Sequence, residues 1–398
     1  MKGPFMKIRL FNTYIFNMII FLIPIFEPKL FTQYSITQFL YIMMNIVELL
    51  YFLLYFSGRN GKIIVYRPMI IWLVFQGYLF LSMLINNNFG GVLQWGYLTL
   101  MVINLLFLCE YALVHDFMDL LKAIAIYGSL LLLINYITLL AFEDGVIPPE
   151  VYYMQDNATY FLGIKTAFTT MMFPTIAASG AVFLMEKNKK NVLMLIIAIV
   201  VSILNMAYKM ISTAIVGCIL IIAMVIICKI TRRRLSNYVL FTSAILAQIA
   251  IVFFGVQEVF SVFFQLYFHK DASLSARTYI WKSAKKMIES SNIFHILFGN
   301  GIADQQAFVP YSGGLWQPHN QLLVWIYTGG IIGIIILLFY IFGLSKWKSK
   351  KNKVYYYLSI VCFAVIFLSV TEVYFDTAVC YVPFLILYFS GKYYEKKV

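Results

Sequence analysis

Along the chain, long apolar runs alternate with short polar breaks. Twelve such runs can be drawn, near residues 10–26, 36–56, 68–86, 91–109, 120–141, 161–184, 191–207, 210–228, 237–256, 320–344, 354–371 and 377–391. A helix needs about 20 consecutive apolar residues to cross a bilayer. The pattern therefore predicts an all-α, polytopic integral membrane protein of about 12 transmembrane helices, with residues 1–398 forming one membrane domain. Two polar intervals on one side break the rhythm. Residues 142–160 form an acidic, proline-containing loop, and residues 257–319 form a far larger one rich in aromatic side chains. Within the latter, "SARTYIWKSAKKMIESSNIF" repeats with helical period. Ile280, Trp281, Ala284, Met287 and Ile288 share one face, away from Lys282, Lys285, Lys286 and Glu289. That is the pattern of an amphipathic helix lying at a membrane interface.

Composition agrees. Of 398 residues, 62% are hydrophobic and only 12% charged, against about a quarter charged in soluble domains. The net charge of +13 raises the question of nucleic acid, and its distribution answers it. With the N-terminus inside, successive inner segments hold 3, 3, 1, 3, 4, 5 and 3 Lys/Arg, together 22 of the 30. The other eight are Lys29, Lys165, Lys209, Lys270, Arg277, Lys282, Lys285 and Lys286. Positive charge marks the cytoplasmic side, so "KITRRRLS" and "SKWKSKKNK" read as cytoplasmic flanks and no nucleic-acid partner is expected. Both termini are expected in the cytoplasm. Span one lacks a small-residue cleavage site and is expected to be a retained helix. Cysteines 109, 218, 228, 362 and 380 fall in or at the ends of spans without a CxxC pair. They read as apolar fillers, with no disulfide or metal implied.

The candidate chemistry lies between Arg277 and Gly333. Arg277 and Trp281 stand four apart on the amphipathic helix. "LFGNG" at 297–301 supplies Gly299 and Gly301 for a tight turn. "PHN" at 318–320 then opens an apolar run containing Gly329, Gly330 and Gly333. Pro318 fits a first helical position, where its missing N–H costs nothing, and this would put His319 in the first turn. Gly329 and Gly333 are spaced for close helix packing. This ordered set resembles the shared pattern of the O-antigen ligase and polymerase superfamily. The resemblance covers residues 275–333 well and the remaining chain through its span layout. Two positions depart from the family pattern. Thr328 stands where a Glu is frequent, and Ile211 and Ser212 stand where a Ser-Arg pair is frequent. Lys209, one turn earlier, is then the candidate substitute cation.

The resemblance implies a membrane glycosyltransferase acting on the outer face of a bacterial cytoplasmic membrane, without metal, cofactor or nucleotide sugar. Its donor would be an undecaprenyl-diphosphate-linked oligosaccharide, moved en bloc to an acceptor hydroxyl. Flippase and chain-length regulator proteins are the expected partners besides the bilayer. The residues suit that chemistry. A diphosphate leaving group needs cations, and Arg277 offers a bidentate fork, with Lys209 and Lys165 as further candidates. The acceptor hydroxyl needs a base, and His319 is the residue type for it. Asn320 could hold the acceptor or orient the histidine. A polymerase of O-antigen, capsule or exopolysaccharide repeat units is the favoured expectation and a ligase the alternative. A lipid-linked oligosaccharide flippase is the alternative of another class, but a transporter should show internal repeats or several midplane charges. Glu48, the one carboxylate deep in a span, reads either as functional or as a hydrogen-bonded packing residue.

Overall fold

The computed structural model describes residues 13–58, 67–148, 158–231, 235–260, 265–266, 277–302, 318–344 and 352–397. The described residues fold into helices without strands, apart from two isolated bridges, Ile147 to Thr159 and Tyr160 to Gly163. The helices are α1 (Thr13–Leu22), α2 (Ser35–Gly58), α3 (Arg67–Ile85), α4 (Val92–Val114), α5 (Phe117–Ala141), α6 (Phe168–Met185), α7 (Lys189–Tyr208), α8 (Ser212–Thr231) and α9 (Asn237–Phe254). They continue with α10 (Arg277–Ser290), α11 (Ile293–Phe298), α12 (Gln321–Leu344), α13 (Lys353–Leu368) and α14 (Val382–Lys397). Each of the twelve expected spans has its helix. Among the described residues nine helices are long and apolar enough to cross a membrane, while α1 and α13 are apolar but shorter.

Burial sorts the helices. Along α4, α6 and α13 most side chains are buried, whereas α2 and α8 expose large aliphatic residues over most of their surface. An apolar exposed face is what lipid requires, so α4, α6, α13 and α14 form the protein core and α2, α7 and α8 its rim. Several polar groups inside this core pair with one another, as an apolar medium favours. Asn135 donates to Asn205 at 2.7 Å and accepts from the Leu162 N–H at 2.8 Å, which pins the non-helical segment 158–163 onto α5 and α7. Helix starts follow local chemistry. Asp116, Asn188, Ser236 and Asn352 each place a side-chain oxygen on a free N–H of the first turn.

Contacts at the two ends fit strict alternation of the spans. At one end Leu30 N–H donates to Phe161 O, Lys209 reaches the Glu143 carbonyl at 3.3 Å, Asn88 reaches the Asn300 carbonyl at 3.1 Å, and Arg277 pairs with Glu372. At the other, Tyr55 meets His115 at 3.0 Å, Lys122 lies 3.8 Å from Glu186, and Lys392 lies 3.1 Å from Glu110. The first group joins segments on the side poor in Lys/Arg, and the second joins segments on the side rich in them.

Candidate functional site

The site is built around the start of α12, and that start differs from the sequence expectation. The helix begins at Gln321, so Pro318 and His319 precede it rather than forming its first turn. The reason is Asn320, a stronger capping residue than either neighbour. Its side-chain oxygen accepts the Leu323 N–H at 2.8 Å, and its amide donates to the Val370 carbonyl at 2.8 Å. Asn320 is fully buried and therefore fixes the helix start. His319 stands just outside with φ +45°. A non-glycine residue in that region is uncommon and costs of order 1–3 kcal/mol, a strain concentrated at functional sites.

The segment 369–377, between α13 and α14, wraps this helix start. The Gln321 N–H donates to the Ser369 carbonyl, and the Gln321 side-chain oxygen accepts from the Tyr374 and Phe375 N–H groups, each at 2.9 Å. The wrapping delivers Glu372 to the site. One Glu372 oxygen pairs with the Arg277 guanidinium, and the other lies 3.9 Å from the His319 imidazole. Glu372 is almost fully buried, and the His319 side chain is one-third exposed. The structure thus brings Arg277, His319 and Glu372 together from three distant segments. Sequence reasoning missed Glu372. Its only signal was an acid in a short polar break on the outer side, and nothing in the sequence indicated which partner that break would reach.

Arg277 begins α10, whose apolar face packs on protein. Ile280, Trp281 and Ala284 are buried against Val252, Leu323 and Val370. The Trp281 indole donates to the Pro318 carbonyl at 3.1 Å. The Arg–Trp spacing of four therefore has a structural meaning: the tryptophan holds the residue preceding His319 while the arginine, one turn away, meets Glu372.

The glycines interlock. Gly330 breaks α12 with φ +59°, which frees carbonyls in the preceding turn. The Asn300 and Gly301 N–H groups fill them, donating to Tyr327 O at 2.7 Å and Thr328 O at 3.0 Å. From α3, the Tyr78 hydroxyl donates to Phe298 O and Gly329 O, and Ser82 donates to Phe298 O at 3.0 Å. A Cβ on Gly299 would lie 2.5 Å from Thr328 O, and one on Gly330 would lie 2.5 Å from Leu297 O. Gly333 lets the Tyr78 ring approach. Thr328 bonds back to Val324 O at 2.9 Å.

The remaining candidates are positioned by other segments. Lys209 caps α7, and its ammonium lies 4.7 Å from the Tyr160 ring centre. Lys165 opens a short turn before α6. Glu48 is buried on α2, and its carboxyl oxygens meet no hydrogen-bond partner. No group of three or more His, Cys, Asp or Glu suited to a metal occurs among the described residues.

Residues 197–338 match the family model described as O-antigen ligase. No curated protein and no solved structure matches the chain. The matched segment contains Lys209, Arg277, Trp281, the Gly299–Gly301 turn, His319 and the Gly330 break; Glu372 lies beyond it. The match over residues 197–338 supports the resemblance to the O-antigen ligase and polymerase superfamily.

Proposed function

We propose that this protein polymerises lipid-linked repeat units of a bacterial surface polysaccharide on the outer face of the cytoplasmic membrane. The observation that carries the reading is the meeting of Arg277, Glu372 and His319 at the mouth of α12. The donor is a glycan on an undecaprenyl diphosphate. The acceptor O–H loses its proton to His319 as the oxygen attacks the anomeric carbon. The bond from that carbon to the phosphate oxygen breaks, and the lipid diphosphate leaves with the electron pair. Arg277 meets the charge that develops on it. A guanidinium carries five N–H donors, so pairing with Glu372 leaves donors for phosphate. Glu372 holds both the guanidinium and the imidazole in register, which is a positioning role.

A ligase shares this chemistry and differs in acceptor. The description of the matched family model favours that second reading. Reconstitution separates the two. Purified protein is given undecaprenyl-diphosphate-linked repeat units, with or without a lipopolysaccharide core acceptor. A ladder of chains without added acceptor is the expected result, and transfer only to the core would identify a ligase. His319→Ala should lower transfer by about 10²–10⁴-fold, the range for loss of a general base. His319→Gln keeps a hydrogen-bonding side chain without a basic site and should be equally slow. Normal ladders from both variants would remove His319 from the mechanism.

A further inference from the structure

Beside the cluster lies a second feature that the transfer chemistry does not use. A cavity of about 730 Å³ opens among the outer ends of α2, α4 and α6, the segment after α1 and the residues following Glu372. Its size falls within the range of small-molecule sites. Its wall carries Glu27, Lys29, Gln38, Gln94, Thr170 and Asp376 above an apolar floor that includes Met101 and Met171. Glu27 is buried and held by two partners, the Tyr97 hydroxyl at 2.6 Å and the Lys29 ammonium at 3.4 Å. Asp376 also lines this volume, and burial of its carboxyl pushes it up to about 6, with Gln321 and Lys29 pulling the other way.

We propose that this cavity binds the uncharged sugar portion of the glycan, while the diphosphate stays outside it at Arg277. Three observations lead there. The first is charge. Two carboxylates face one lysine, so the wall repels a diphosphate and suits a neutral ligand. The second is chemistry. Amide, hydroxyl and carboxylate groups above apolar side chains match a sugar, which presents hydroxyls that both donate and accept, together with C–H faces. The third is place. Asp376 follows Glu372 by four residues, at most about 14 Å of extended chain, and the adjoining Phe375 N–H is bonded to Gln321, two residues from His319. A glycan in the cavity would thus have its end near the base and the arginine.

The inference rests on the proposed glycan transfer, and its test does not require transfer. Gly96 lines the cavity, and a Cβ there meets nothing within 4 Å, so Gly96→Cys is a tolerated reporter. The full-length purified protein carries it in a background lacking the native cysteines, with Lys282→Cys on the exposed face of α10 as a control. The probe is the lipid-free oligosaccharide released by mild acid from the source cell's own surface polysaccharide. It should slow maleimide labelling at Gly96→Cys several-fold and leave Lys282→Cys unchanged, and inorganic pyrophosphate should protect neither. The protection should weaken when Asp376→Asn is added. Equal labelling rates with and without oligosaccharide overturn the proposal. Protection by pyrophosphate as strong as by the sugar also overturns it, because the cavity would then be an anion site. Loss of polymerisation in reconstitution, with protection intact, would instead count against the transfer reading alone.

Discussion

At the scale of the residue, the cluster at α12 divides its roles by chemical type. Arg277 supplies a planar, permanently charged fork, and one nitrogen is already fixed by Glu372. A lysine in its place could keep the charge but not the two-pronged geometry. Arg277→Ala should therefore abolish transfer, and Arg277→Lys should restore only part of it, with the protein inserting normally in both. The measurement is initial transfer rate in reconstituted vesicles at matched protein amounts. Wild-type rates in Arg277→Ala would make this arginine a packing residue for Glu372. The Lys209 ammonium meets the Tyr160 ring and the Glu143 carbonyl, which still leaves N–H donors for phosphate. Arg277 and His319 were legible in the sequence because they stand in order with Trp281, the GxG turn and the helix glycines. Glu372 was not legible, because its meaning comes from a fold that returns segment 369–377 to the start of α12.

At the scale of the element, the decisive feature is a helix broken on purpose. A continuous apolar run predicts an unbroken α12, and nothing in local periodicity indicates that Gly330 would leave helical geometry. The break is sustained from outside: the Asn300 and Gly301 N–H groups and the Tyr78 hydroxyl satisfy the carbonyls of residues 327–329. The GxG turn and the helix glycines, which look like independent weak signals in sequence, are the two halves of one joint. That joint fixes how α12 leaves the site that His319 opens. Gly330→Ala tests it. A side chain at φ +59° is strained and would also meet Leu297 O, so the variant should lose about 1–3 kcal/mol, read as a lower thermal unfolding midpoint in detergent. Gly77, on α3 with open space beside it, is the control, and Gly77→Ala should leave the midpoint unchanged or raise it. Equal midpoints for Gly330→Ala and the wild type would mean that the break carries no strain.

At the scale of the molecule, the span pattern was legible almost completely, because lipid leaves the chain no other way to satisfy its backbone than a run of about 20 apolar residues. The sequence could not say which segments lie against one another. Contacts at the two ends now group them, and each group agrees with the Lys/Arg distribution. The Arg277 cluster and the cavity share the end poor in basic residues, which is where the proposed transfer would need its lipid-linked glycan. Orientation in the cell follows from charge: the end with 22 of the 30 basic residues should face the cytoplasm. Lys282 on α10 and Lys190 at the start of α7 are both exposed and lie at opposite ends. Single cysteines replacing them, in a background lacking the native five, report the orientation directly. In intact cells an impermeant maleimide should label Lys282→Cys and spare Lys190→Cys, and the latter should react once the membrane is opened. The reverse pattern would put the Arg277 cluster in the cytoplasm. A flipped lipid-linked donor could not reach it there, and the outer-face transfer reading would fall with the orientation.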